Sequence, residues 1–305
     1  MTSLPLVVAD EVAAALAAHR PVVALESTIV THGLPWPDNV AVAREVEAAV
    51  RAGGAIPATI AVLDGAIVVG LDDARLERLA QAQGVMKLSR ADLAFAVSSR
   101  RPGSTTVAAT MICAHLAGIE VFATGGIGGV HRGAETTFDV SADLKELGRT
   151  PVVVVSAGAK ALLDLPKTLE VLETEGVPVI GWGTDDFPAF WSRVSGLPAP
   201  LRIDDGASFA AFWRARKSLG IGGGALIGNP VPVAFEISRA EMEPVVEAAI
   251  ARADAEGVRA KDVTPRLLSL ILEATAGRSL VTNRALILSN AAVAAEIAGA
   301  LARGA

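Results

Sequence analysis

The chain has 305 residues, 51% hydrophobic and 20% charged, which is enough apolar material for a large core and too little polarity for disorder. Its 27 basic and 33 acidic residues leave a net charge of −6 with no dense Lys/Arg tract, so no nucleic-acid partner is expected. A single cysteine, Cys113, excludes an internal disulfide framework.

The opening Met1-Thr2-Ser3-Leu4-Pro5 has no basic stretch ahead of an apolar one. No secretory leader is expected, and the cytoplasm is the expected compartment. Residues 21–24 read as a strand and residues 38–52 as a helix. Residues 58–63 and 66–69 read as strands joined by Asp64-Gly65, a strong hairpin signal. Residues 72–83 read as a helix that Asp72 caps and Gly84 ends. A second unit opens near residues 93–97, followed by a helix over 104–116 that ends at Gly118 and holds Cys113 as an inert core residue. Residues 120–123 read as a strand running straight into Gly125-Gly126-Ile127-Gly128-Gly129. A short helix over 143–147 precedes the clearest buried strand, 151–156, and Lys160 follows it.

A helix over 166–175 and a strand over 177–180 come next, then a loop-rich excursion over 183–200 carrying Phe187, Phe190 and Trp191. A helix over 208–219, a short strand over 225–227 and helices over 238–256, 264–275 and 290–301 complete the chain. Near-continuous apolar strands alternating with helices predict an α/β fold: three layers, α/β/α, with a mainly parallel sheet and helices on both faces. No polar linker or internal repeat interrupts the pattern, so residues 1–305 are expected to form one domain. No apolar run reaches the ~18 residues of a membrane helix, so no membrane span is expected.

Several residues carry chemistry. The glycines of residues 124–132, at a strand end, suit an anion cradle of backbone N–H groups, with His131 and Arg132 adding charge; a tight packing turn is the other reading. The spacing fits neither a dinucleotide fingerprint nor a P-loop. Lys160 follows the valine-rich strand, where ligands of open α/β sheets gather. Its amine there serves as a nucleophile, or as a surface charge at a helix start. Lys87, in a strand-like setting, faces either solvent or a phosphate. Glu26, after the first strand, reads as a general acid or base, or as a cap for nearby N–H groups. His32 lies in a stretch read as a loop. Asp139 and Asp143 would share a face on one helical turn and suit a hard cation that keeps waters; Asp143 equally suits the N-cap of Leu144 to Leu147. No structural zinc spacing is present.

Ala24-Leu25-Glu26-Ser27-Thr28-Ile29-Val30-Thr31-His32-Gly33-Leu34-Pro35 resembles the opening motif of the pseudouridine-5'-phosphate glycosidases. So does Phe122-Ala123-Thr124-Gly125-Gly126-Ile127-Gly128-Gly129-Val130-His131-Arg132-Gly133-Ala134, and the likeness runs through residues 137–147, 156–174, 177–191 and 257–268 to Asn283. It covers roughly residues 5–300 with long ungapped motifs.

The resemblance implies reversible cleavage of the C-glycosidic bond of pseudouridine 5'-phosphate to uracil and ribose 5-phosphate, in the hydro-lyase class, through a lysine adduct. Lys160 matches the family's nucleophile, Glu26 its catalytic acid and Asp139 the residue that holds one divalent ion per subunit, usually Mn²⁺, largely through waters. Ser141, Ala142 and Asp143 match a substrate-contacting segment, Lys87 and Val107 match further contacts, and His131 and Asn283 occupy other active-site positions. A homotrimer is implied. A related sugar-phosphate lyase for another base and a non-catalytic sugar-phosphate-binding protein are the competing readings.

The chain departs from the usual pattern at Arg90-Ala91-Asp92, where one basic residue is lost, at Trp182, where tyrosine is common, and at Pro232-Val233-Ala234, usually more acidic. Arg266 and Arg284 stand at positions that are usually apolar.

Overall fold

Strands that are apolar along their whole length must be covered on both faces, and all four residues of Val153–Ser156 are buried. The computed structural model describes residues 4–258 and 263–304, so Met1 to Ser3 and part of the 257–268 motif lie outside the described residues. The chain runs through β1 (Leu6–Val8), α1 (Asp10–Ala17), β2 (Val22–Leu25), α2 (Thr28–His32), α3 (Asp38–Ala52), β3 (Ile56–Leu63), β4 (Ala66–Val69) and α4 (Asp73–Gln81). It continues through β5 (Met86–Leu88), α5 (Leu93–Ser98), β6 (Gly103–Thr105), α6 (Val107–Leu116), β7 (Val121–Ala123), α7 (Ala134–Thr137), α8 (Ala142–Leu147), β8 (Val153–Ser156) and α9 (Leu165–Thr174). β9 (Val179–Trp182), β10 (Leu201–Ile203), α10 (Gly206–Ser218), β11 (Ala225–Gly228), α11 (Arg239–Ala255), α12 (Val263–Ala274) and α13 (Arg278–Ala302) follow.

The described strands form one sheet in the order β1-β4-β3-β2-β7-β8-β11-β9-β10, with β5 and β6 branching from β3. All pairings from β3 to β10 along this path are parallel, while β3 pairs antiparallel with β4 and β6. α3, α13 and α10 pack together on one face, and α6, α8 and α9 on the other. This is the expected three-layer α/β/α arrangement. β3 follows β2 on one side, whereas β7 lies on the other and leads to β8. The connections therefore diverge between β2 and β7, and ligands of open α/β sheets bind beyond strand ends at such a point.

Local chemistry explains many boundaries. Asp64 and Gly65 both have positive φ, 53° and 86°, as a two-residue hairpin turn requires. The side chains of Asp72, Asp164, Asp205 and Ser238 each accept a backbone N–H in the first turn of α4, α9, α10 and α11. Other expectations need correction. The helix expected over 104–116 begins only at Val107, because Ser104 and Thr105 extend into β6 beside β5. His32 is the last residue of α2 and lies in no loop. Lys160 starts no helix, since α9 begins at Leu165.

α13 begins at Arg278, twelve residues before the expected start at 290. It is long and apolar enough to cross a membrane, although it holds no long unbroken apolar run, because Ser289, Asn290 and Glu296 interrupt it as well as the polar residues of its first turns. Half of its most apolar stretch is buried, and it packs against β2, β7, β8, α3 and α10. Cys113 lies fully buried in α6, and burial pushes its thiol up to about 12.

Candidate active site

Three loops leave the carboxyl ends of neighbouring strands. Glu26 follows β2, the glycine segment follows β7, and Lys160 follows β8. The Thr28 hydroxyl donates to Glu26 Oε2 and the Thr124 hydroxyl to Oε1, so both carboxylate oxygens are held. The Ile127 N–H donates to the Gly158 carbonyl at 3.1 Å, and the Lys160 N–H to the Ile127 carbonyl at 3.1 Å. This short parallel bridge ties the lysine's backbone to the glycine loop. Gly158 adopts φ 82°, and a Cβ there would run into the Pro188 carbonyl.

The glycine loop is closely packed, the second of its two readings, and part of its N–H donors are engaged inside the protein. None of its four glycines has positive φ, and the Ile127 and Gly128 N–H groups already have partners inside the protein. Gly126 and Gly128 permit close packing, and with Gly125 they also line the cavity at the strand ends. A Cβ on Gly126 would stand 2.7 Å from the Phe190 ring, and one on Gly128 2.8 Å from the Asp143 carboxylate.

Asp143 is 7% exposed, and its carboxylate accepts the Gly128 N–H at 2.8 Å and the Ala108 N–H at 3.0 Å. It is not the N-cap of the short helix α8. Ser141 is, its hydroxyl accepting the Asp143 N–H at 3.2 Å. Nor do Asp139 and Asp143 share a helical turn, because α8 begins at Ala142, after Asp139. The Asp139 side chain is 44% exposed, with an oxygen 3.9 Å from His131 Nδ1.

The candidate residues other than Arg132, which is not among its lining, meet at one cavity of about 710 Å³. Glu26, Lys160, His131 and Asp139 line it from the loops, together with Ser141, Ala142 and Asp143 at the start of α8. Lys87 enters from β5, Val107 from the first turn of α6 and Asn283 from α13. Asn283 Oδ1 accepts the Trp191 indole N–H at 2.7 Å. Burial lowers the pKa of His131, with the positive charges of Lys160 and Lys87 acting in the same direction and Asp139 opposing. His32 also lines the cavity; burial and the Lys87 charge hold its pKa low.

The excursion over 183–200 supplies part of the wall. Phe187, Phe190 and Trp191 are buried, Phe190 lies edge-on to Trp191 at 5.1 Å, and the Phe190 N–H donates to the Ala157 carbonyl at 2.9 Å. Sequence reasoning missed Phe190 as a lining residue, along with the apolar side formed by Leu268, Leu272, Leu286 and Ile287. Helical spacing was the available signal for that side, but it does not say whether such a face meets core or cavity. Arg284, at a usually apolar position, pairs with Glu45 of α3, and both line the cavity. Arg266 likewise finds a carboxylate, Glu256, and Arg90 forms a two-pronged pair with the buried Glu146.

Among the described residues, no three His, Cys, Asp or Glu side chains gather into a metal cage. A half-exposed carboxylate such as Asp139 fits a hard divalent ion that keeps most of its waters.

The family described as indigoidine synthase A like protein matches residues 11–300. The pseudouridine-5'-phosphate glycosidase of Paracoccus denitrificans is 65% identical over 301 residues, covering 98% of this chain and 99% of the relative. The chain belongs to the pseudouridine-5'-phosphate glycosidase family. A second member of this glycosidase family, from Solibacter usitatus, is 62% identical over 288 residues, 94% of this chain and 96% of that one. The crystal structure of the prealnumycin C-glycosynthase AlnA in complex with ribulose 5-phosphate superposes with a TM-score of 0.92 at 41% identity, covering 100% of this chain and 99% of the other. An indigoidine synthase A-like protein from Thermotoga maritima gives 0.89 at 34% identity, covering 99% of each chain. The glycosidase family thus extends over the whole sheet and every loop that lines the cavity.

Proposed function

We propose that this member of the glycosidase family is an enzyme that splits pseudouridine 5'-phosphate with water into uracil and ribose 5-phosphate, reversibly. The observation that carries the reading is the convergence of Glu26 and Lys160, from β2 and β8, on one cavity. The 65% identity to a pseudouridine-5'-phosphate glycosidase, spread over the full chain, supports it.

The scissile bond joins two carbons, so protonating a leaving oxygen cannot break it. Lys160 Nζ adds to C1' and releases a proton, while Glu26 gives its own proton to the ring oxygen O4', and the C1'–O4' bond opens. The C1'–C5 bond then breaks with its electron pair on the base. C5 takes up the proton the amine released, uracil leaves, and C1' remains as an iminium on Lys160. Water adds to that carbon and expels the amine as ribose 5-phosphate forms, and the surplus proton returns to Glu26.

The remaining residues bind and orient. Lys87 supplies a point charge for the 5'-phosphate beside His131, while Val107, Ser141, Ala142 and Asn283 border the sugar and base. Asp143 acts through the Gly128 and Ala108 N–H groups that its carboxylate holds. Asp139 would hold one divalent ion per subunit, Mn²⁺ foremost, largely through waters; when bound, it would supply positive charge to order water and sugar hydroxyls. The working form is a homotrimer, which light scattering at assay concentration checks by mass.

The deciding experiment is chromatographic detection of uracil released from pseudouridine 5'-phosphate. Stoichiometric uracil and ribose 5-phosphate are expected. Turnover of other C-nucleoside phosphates without release of uracil from this one would reassign the base, and binding without turnover would reduce the protein to a sugar-phosphate binder.

A further inference from the structure

Asn290 lies on α13 two turns beyond Asn283, and it is fully buried although it carries an amide. An amide in an apolar core is costly unless its groups are paired, and here they are. Its Nδ2 donates to the Thr124 carbonyl at 2.8 Å and to the Gly125 carbonyl at 3.3 Å. Its Oδ1 accepts from Asn229 Nδ2 at 2.9 Å. Asn229 follows β11, and its backbone N–H donates to the Ser156 carbonyl at 2.8 Å. The ends of β7, β8 and β11 are thereby fastened to one helix. The fastened peptide, Thr124–Gly125, belongs to the residue whose hydroxyl holds Glu26 Oε1.

We propose that Asn290 is a positioning residue for the proton-transfer chemistry, acting through Thr124 to aim the Glu26 carboxylate into the cavity. Asn290 is absent from the residues that line the cavity, so it does not touch substrate. Its amide fixes the rotation of the Thr124 peptide, and that rotation sets where the Thr124 hydroxyl points. The Thr28 hydroxyl holds the other oxygen from the start of α2, so the carboxylate is clamped between that helix and the loop after β7. A carboxylate freed on one side would turn away from the ring oxygen it must protonate, while the phosphate and base contacts would remain. The proposal rests on the assignment of Glu26 as the proton donor.

The test is a double-mutant cycle read by kcat and KM for uracil release. Asn290→Ala in the native background is expected to lower kcat roughly 10- to 100-fold, as loss of alignment does, with KM within about threefold. In a Glu26→Gln background it should lower kcat no further. An equal loss in both backgrounds would show that Asn290 acts elsewhere, and an unchanged kcat in Asn290→Ala would also overturn the proposal. Near-native turnover by Glu26→Gln would remove the assignment of Glu26 itself and this proposal with it, while a slow Glu26→Gln beside an additive Asn290→Ala would leave that assignment standing. A second pair keeps the test decisive if Asn290→Ala fails to fold or Glu26→Gln is silent. Thr124→Val removes the hydroxyl at constant shape and should reproduce the kcat loss; Thr124→Ser should recover most of it. Equal kcat values for the two Thr124 variants would sink the proposal.

Discussion

The Asp143 carboxylate accepts the Gly128 N–H at 2.8 Å, and its second oxygen accepts the Ala108 N–H at 3.0 Å. One buried side chain therefore joins the glycine loop after β7 to the first turn of α6. A carboxylate can accept at both oxygens, whereas an amide presents a donor at one of them. Asp143→Asn should therefore leave one backbone N–H facing another N–H. The expected cost is about 1–3 kcal/mol, read as a lower urea midpoint at unchanged slope, with reduced uracil release. An unchanged midpoint would show that the two bonds matter little.

Lys160→Ala is expected to lower turnover by more than about 1,000-fold, as loss of a nucleophile does. Lys160→Arg should be as poor, because a guanidinium stays protonated. Mass spectrometry after incubation with ribose 5-phosphate and reductive trapping should find a sugar-phosphate mass on Lys160. Near-normal turnover by Lys160→Ala would rule out the covalent route.

Lys87→Ala should raise KM for pseudouridine 5'-phosphate roughly 10- to 100-fold, the worth of a charge-assisted contact. The unphosphorylated nucleoside should turn over equally slowly in both proteins. A parallel loss for both substrates would mean that Lys87 contacts something other than the phosphate.

Asp139→Asn should weaken Mn²⁺ binding, measured by the electron paramagnetic resonance signal of the free ion, with little change in thermal unfolding. The protein stripped of metal should regain activity when Mn²⁺ is added. Full activity after exhaustive chelation would remove the ion from the reaction.

Burial, aided by the Lys87 charge, holds the pKa of His32 below its ordinary value of about 6.5. The unfolded chain takes up a proton there that the folded chain refuses, so stability rises with pH across the range just below 6.5. Acidification from neutrality through that range should therefore lower the unfolding midpoint. Replacing His32 with Gln should flatten part of that slope; an identical slope would place the proton uptake elsewhere.

The strand-helix alternation, the Asp64-Gly65 hairpin and the buried run 152–155 were legible because each is written locally, in apolar period or turn chemistry. The candidate site was legible for the same reason: Glu26, the glycine loop and Lys160 each follow a readable strand, and their long motifs carry the family likeness. What residues 104–105 would do was not legible, because Ser104 and Thr105 become strand only by pairing beside β3 and β5. The early turns of α13 were hidden by polar residues whose partners, such as Trp191 for Asn283, lie far away in the chain.

The sequence by itself determined which residues are chemically able to act, since composition and local pattern depend only on neighbours along the chain. Only the tertiary structure decided what each one does. It packed Gly126 and Gly128 closely against Phe190 and Asp143, spent the Asp143 carboxylate on two backbone donors, and buried Asn290 against Thr124. Each outcome depends on which polar group stands within 3 Å or so of another across the fold, and hydrogen bonds act only at that range.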